Sequence, residues 1–214
     1  MRRLRGTVGE LHARRPGVDV HRQVWLMSPI DTALVLGSAQ EPNLAVGDPG
    51  DDAGVVRRRS GGGAVLVVPY DSVWIDVVIS RDDPLWDEDM NRAPLWLGRV
   101  WVAALASLGV SGGEVSDCYR PGRWGRVACF AGRGPGEVLV NGAKAVGVSQ
   151  SRTRVAARFQ TLVYRRWAPG ELLARLAVPP PQSEDLREAL SIAAQPVDAP
   201  PDEIRTAFLT ALRQ

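Results

Sequence analysis

Two short stretches of this 214-residue chain carry residue types that could do chemistry. The first is Arg57-Arg58-Arg59-Ser60-Gly61-Gly62-Gly63. Guanidinium groups fork onto oxyanions, and backbone N–H groups in a glycine turn form a concave anion site. Three consecutive glycines cost backbone entropy, which a chain tolerates where it turns tightly or approaches a ligand closely. The plain alternative is a hairpin turn with exposed arginines, since Ser-Gly-Gly-Gly suits a turn. The second stretch, Asn141 to Gln150, holds Lys144, the only lysine among 26 basic residues. An ammonium is a compact point charge on a flexible stem, which arginine cannot copy. The alternative is a solvated hairpin residue. Cys129 precedes Lys144 by fifteen residues. A thiolate beside a cation is a nucleophile, while the alternative for a free cysteine is a small buried hydrophobe.

The rest of the composition excludes more than it suggests. Two cysteines, Cys118 and Cys129, make neither a disulfide framework nor a metal site. His12 and His21 have no partner at ligand spacing, so no metal site is expected. A net charge of +2 is too small to argue for nucleic acid. No apolar run is long enough to span a membrane, and no apolar stretch follows Met1-Arg2-Arg3 to make a signal peptide. A cytoplasmic protein without membrane or nucleic-acid partners is expected.

The elements that must position these residues follow from periodicity. A short helix is expected around Val8–Arg14, then strands at Val24–Met27 and Thr32–Gly37. The stretch from Glu41 to Gly54 is loop-like. A strand, the glycine turn and a second strand run to Val68, and Ser72–Ser80 suits a buried strand. Asp76 within it is expected to face solvent. Asp82-Asp83-Pro84 has the composition of a helix start, and Pro94 to Leu108 is the clearest helix, with Gly109 at its end. Its tryptophans, Trp96 and Trp101, are expected in the core. Strands are expected at Val127–Ala131, Glu137–Val140, Ala143–Ser149 and Val155–Tyr164. Asn141-Gly142 is a two-residue hairpin signal that puts Lys144 at the start of a strand. Three helices, Pro169–Leu176, Ser183–Ala194 and Pro201–Leu212, close the chain, with Pro179-Pro180-Pro181 as a stiff connector.

The ordered pair of stretches resembles the lipoate–protein ligase A family. Arg57 to Val65 is similar to its first signature, and Gly142-x-Lys144-x-x-Gly147-x-Ser149-Gln150 is similar to the second, which holds that family's lysine. Ala33 to Gln40 resembles the strand and turn before the first signature, so the resemblance spans roughly Gln23 to Tyr164. It implies an α+β fold of the class II synthetase and biotin–lipoyl ligase type. That is a mixed, largely antiparallel sheet backed by helices. It implies one catalytic domain over 1–214, with the family's C-terminal accessory domain absent. The implied reaction activates lipoate or octanoate with ATP and Mg2+ to an acyl-adenylate. The acyl group then passes to a lysine of a lipoyl carrier domain, as in a 2-oxoacid dehydrogenase or the glycine cleavage system. Lys144 is the implied catalytic residue, stabilising charge on the leaving phosphate. Arg58, Ser60, Gly61, Gly62, Gly63, Ala64, Val65, Leu66, Gly147 and Ser149 are the implied substrate and nucleotide contacts.

Two departures open other readings. The family's aromatic-His-Asp after the first signature is Leu66-Val67-Val68 here, and its later His-Gly region is Arg158-Phe159-Gln160-Thr161-Leu162. Both remove polar groups on the nucleotide side. One rival is therefore an ATP-independent octanoyl or lipoyl transferase with Cys129 as thioester nucleophile. The Ala128-Cys129-Phe130 segment resembles the Cys-Phe stretch of such relatives. A separate accessory protein would be another way to restore adenylation. A third reading is a non-catalytic protein that binds an acyl group or a carrier domain.

Overall fold

The computed structural model describes residues 1–17, 21–46 and 54–214. The elements in chain order are β1 (Arg2–Gly6), α1 (Val8–Ala13), β2 (Gln23–Pro29), β3 (Ala33–Leu36), β4 (Val55–Arg57), β5 (Val65–Val67) and β6 (Ser72–Ser80). They continue with α2 (Leu95–Ser107), β7 (Gly113–Val115), β8 (Val138–Val140), β9 (Ala143–Arg152) and β10 (Ala156–Tyr164), then α3 (Pro169–Leu173), α4 (Gln182–Ser191) and α5 (Pro201–Ala211). Part of the expected loop, residues 47–53, lies outside the described residues. No helix among the described residues is long and apolar enough to cross a membrane.

Seven strands form one sheet in the order β1-β2-β6-β10-β9-β8-β7, and a second sheet has the order β4-β3-β5. In the large sheet only β1 and β2 run parallel; the other neighbours are antiparallel. The α+β expectation is met. Strand alternation assigns each side chain to a layer. On β6, Val73, Ile75, Val77 and Ile79 face α2 and α5, where Trp101 and Phe208 meet at 4.7 Å. Trp74 and Val78 face the other way, toward Ala33, Val35 and Val67 of the small sheet. The small sheet's opposite side, Leu34, Leu36 and Leu66, packs on Leu172, Leu186 and Leu190 of α3 and α4. The layers therefore run helix pair, large sheet, small sheet, helix pair.

This layering corrects several expectations. Asp76 does not face solvent; it is fully buried, because the small sheet and α1 cover that side of β6. Its carboxylate accepts from Trp74 Nε1 at 2.6 Å and from Arg158 Nε at 2.6 Å. The segment at Asp82-Asp83-Pro84 makes turns rather than a helix. Asp83 accepts from the Leu85 N–H at 2.9 Å and pairs with Arg22 at 2.6 Å. Residues 127–131 do not form a strand: Cys129–Ala131 is a single 3-10 turn. Two strands went unforeseen. β1 is an Arg-rich edge strand, and β7 lies in a stretch of glycines and polar residues.

Candidate active site

The glycine stretch is not a hairpin turn. Its flanking strands do not pair with each other; β4 lies parallel on one side of β3 and β5 antiparallel on the other. Residues 58–64 must therefore cross over the C-terminal end of β3. At the crossing a Cβ on Gly37 would collide with the Gly62 carbonyl, and Gly62 itself has φ +96°. A Cβ on Gly63 would lie 2.6 Å from the Gly125 carbonyl oxygen and 2.7 Å from Cys129 N. The glycines thus admit close chain-to-chain packing. That packing lets Ala64 N–H donate to Val127 O at 2.8 Å and Cys129 N–H to Ala64 O at 2.9 Å. The crossing holds Cys129 in place.

Arg58 lies inside the crossing, buried. Its Nη2 donates to the Gly61 and Gly63 carbonyls, both at 2.8 Å, and its Nη1 to Val35 O at 3.2 Å. Its Nε, also buried, has no hydrogen-bond partner. Burial pulls the guanidinium below its usual pKa. Arg58 braces the turn through Nη2 and ties it to β3 through Nη1, while Nε makes no hydrogen bond. Ser60, buried beside it, donates to Gln160 Oε1 and is bonded to Ser149 Oγ, both at 3.0 Å. Arg57 donates to the Gln40 carbonyl.

Lys144 enters from β9. Asn141 (φ 51°) and Gly142 (φ 82°) make the tight hairpin expected, and Lys144 stands opposite Leu139. Its backbone is also held by residues after α4: Lys144 N–H donates to Ala193 O and Gln195 N–H to Lys144 O, both at 2.9 Å. The side chain is not solvated; its relative exposure is 2%. Nζ pairs with Glu137 at 2.8 Å, donates to Cys129 O at 2.5 Å and lies 5.3 Å from the Phe130 ring centroid. Glu137 also accepts from Gly134 N–H at 2.6 Å. Burial pushes its carboxyl above the usual range while the Lys144 charge opposes that shift. Cys129 Sγ lies 3.9 Å from Lys144 Nζ and 4.0 Å from Glu137 Oε1.

Two cavities share residues here, and a third, about 330 Å³, also reaches Phe130, Arg133 and Lys144. The larger of the two, about 280 Å³, has its polar groups at Gly61, Gly62, Gly63, Arg133, Glu137 and Lys144. The smaller, about 50 Å³, runs between the two sheets past Val65, Val67, Trp74, Phe130 and Leu162. Cys129, Val148 and Ser149 line both. Arg58 and Gly147 line the smaller one, and at Gly147 a Cβ would lie 3.1 Å from the Phe130 ring. Ala64 and Leu66 line neither. Leu66 points into the α3–α4 layer, and only its carbonyl, accepting from Tyr164 OH at 2.7 Å, reaches back.

Sequence reasoning missed three polar residues of the site. Glu137 was legible in principle: hairpin alternation puts positions 137, 139 and 144 on one side, a diagonal acid–lysine pair. His12 and Gln160 had no such signal. His12 comes from α1, lies tilted at 31° against Trp74 with ring centroids 4.3 Å apart, and accepts from Gln160 Nε2 at Nδ1 at 3.2 Å. Burial, aided by the charges of Arg158 and Arg58, lowers its pKa to about 3, so the ring is neutral.

The glycine crossing and a buried lysine thus line one cavity, and Cys129 beside that lysine opens onto a second, apolar one. The chain belongs to the biotin/lipoate A/B protein ligase family, whose sequence model matches residues 47–164. Solved structures share the fold. A bi-partite lipoate protein ligase from Thermoplasma acidophilum, described with its E2 lipoyl domain, is 19% identical; the match covers 99% of this chain and 80% of that one, with a TM-score of 0.71. A lipoate-protein ligase A bound with ATP is 20% identical over 98% of this chain and 81% of that one, TM-score 0.68. A putative lipoate protein ligase from T. acidophilum with bound lipoic acid is 20% identical over 91% and 72%, TM-score 0.63. No curated protein sequence matches the chain.

Proposed function

We propose that this protein is a lipoate–protein ligase-like enzyme that activates lipoate or octanoate as an acyl-adenylate and passes the acyl group to a lysine of a lipoyl carrier domain. One observation carries the reading: Lys144, the single lysine, is buried in the wall of the larger of the two cavities with its Nζ 3.9 Å from Cys129 Sγ, and Cys129 borders the apolar cavity as well. An acyl-adenylate has the same division, an apolar tail joined through a mixed anhydride to a nucleotide. The tail would lie between the sheets against Val65, Val67 and Phe130. The phosphate and nucleotide would lie over Gly61–Gly63 and Arg133.

In this reading Lys144 donates from Nζ to the oxygens of the anhydride. When the acceptor amine attacks the acyl carbonyl, the bond to the phosphate oxygen breaks and AMP leaves with both electrons. Lys144 stabilises that developing charge. Its pairing with Glu137 keeps the ammonium oriented before substrate enters. ATP chemistry requires Mg2+. Glu137 is the carboxylate that lines the polar cavity and it is engaged by Lys144, so the ion would be carried mainly by phosphate oxygens and water. The neighbouring structures with ATP, lipoic acid and a lipoyl domain support these ligand types for the fold.

A second reading is favoured by one distance. Cys129 Sγ is 3.9 Å from Lys144 Nζ and borders both cavities. As a thiolate it would attack an acyl thioester, expelling the donor thiolate, and the resulting Cys129 thioester would then be opened by the carrier lysine. Mass spectrometry of a carrier domain incubated with the protein and octanoate separates the two. Modification that requires ATP and survives Cys129→Ala supports the ligase. Modification from an octanoyl thioester without ATP, lost in Cys129→Ala, supports the transferase. No modification by either route refutes both.

A further inference from the structure

We propose that His12, packed against Trp74, is the end wall of the apolar cavity and sets the length of acyl chain admitted; this rests on the reading of that cavity as the acyl site. His12 and Trp74 line the apolar cavity and not the polar one, whereas Cys129, Val148 and Ser149 mark the opening between them. Beyond that opening a chain would be flanked by Val65, Val67 and Phe130, with the His12–Trp74 pair as its end. His12 lies outside the residues 47–164 that the family model matches, whereas Trp74 lies within them.

The wall is fastened by one carboxylate. Asp76 Oδ1 accepts from Trp74 Nε1 at 2.6 Å. Asp76 Oδ2 holds Arg158, whose guanidinium donates to the carbonyls of Leu11 at 3.0 Å, His12 at 3.2 Å and Arg14 at 2.6 Å. Gln160 fixes the ring itself, and through Ser60 joins it to Ser149 at the opening. All of Asp76, Arg158, Ser60 and Gln160 are buried. A wall tied at backbone and ring cannot swing away to admit extra methylenes. The imidazole is neutral, so it meets an apolar chain end without placing a charge against it. A rigid apolar pocket discriminates one methylene by roughly 10- to 200-fold.

The test is equilibrium binding of straight-chain carboxylates from butanoate to tetradecanoate, without ATP so that no adenylate forms. His12→Ala is expected to raise affinity for chains longer than the wild-type optimum by about tenfold or more relative to that optimum. His12→Leu, which keeps the bulk, is expected to leave the ranking of lengths as it is. Equal loss for every length in His12→Ala would overturn the proposal. A readout on the unaltered protein does not depend on that variant folding. The chain has two histidines, and His21 is exposed, so their imidazole NMR signals are separable. The longest chain that binds should shift His12 and spare His21, while short chains that bind should shift neither. If bound chains of every length leave His12 unmoved, the wall assignment is wrong. If no carboxylate binds the wild-type protein, the acyl reading of the cavity fails first, and the wall assignment with it.

Discussion

Replacing Lys144 by methionine tests whether the site is as closed as its geometry states. Nζ and the Glu137 carboxylate are 2.8 Å apart, with side-chain exposures of 2% and 3%. At an effective dielectric constant of about 20, unit charges at that separation attract by about 6 kcal/mol. Desolvating each ion costs several kcal/mol, so the intact pair contributes little net stability. Removing one partner leaves that cost uncovered, and Lys144→Met should lose about 3–5 kcal/mol. Glu137→Leu should lose a similar amount. The double variant, with both charges gone, should return to within about 1–2 kcal/mol of wild type. Urea unfolding followed by tryptophan fluorescence measures all four corners of the cycle. The single variant also has a pH signature. With Lys144 gone, burial is opposed only by the N–H groups of Gly134 and Val148, and the folded pKa of Glu137 stands above the unfolded value. A carboxyl raised in this way favours the folded state fully below the unfolded pKa, and that contribution is lost as pH rises through the folded one. Lys144→Met should therefore recover stability on acidification from neutral pH. Additive losses in the double variant, or single losses below about 1 kcal/mol, would show a hydrated, surface-like pair and refute the closed site.

Four further outcomes follow from the geometry. Lys144→Arg should lower the rate of carrier acylation by about a hundredfold or more while the protein still folds, because a planar fork cannot reproduce a point donor. Gly63→Ala should cost about 1–3 kcal/mol in thermal unfolding, since its Cβ would press on Gly125 and Cys129. Gly61→Ala, where a Cβ meets open space, should stay within about 0.5 kcal/mol of wild type. Burial takes the folded pKa of His12 to about 3 from the usual 6.5, so its contribution is present above about 6.5 and lost as pH falls from there toward 3. His12→Leu should flatten the stability profile over that window, read by chemical denaturation at stepped pH.

The sequence-legible part of the molecule was the part governed by local rules. Asn141-Gly142 announced its hairpin because both positions demand positive φ. The helix around Leu97, Trp101 and Leu105 announced itself by spacing. Features that depend on a second layer were misread. Asp76 looks solvent-facing from β6 alone, and only the small sheet makes its side of the strand an interior. The glycine turn looks like a hairpin because its two strands are adjacent in sequence, yet β3 lies between them. Cys129 looks like a strand residue until Ala64 and Gly63 press its segment into a 3-10 turn. Lys144 and the glycine stretch were recognisable as a pair. The acid that holds the lysine could be read only from hairpin alternation, and the histidine that lines the apolar cavity comes from a segment whose composition gives no cue.

The hydrogen bonds between Lys144 and residues 193–195 also bear on when the site comes into being. A ribosome delivers the glycine crossing first, Lys144 some eighty residues later, and the strap that fixes Lys144 only after α4 has emerged. Until then the nascent chain holds both signature stretches but no finished site. A chain stopped just after α4's first turns should leave the Lys144 amide open to rapid hydrogen exchange. Formation of the site is thereby tied to the segment that follows α4, since only then is the Lys144 backbone held on both sides.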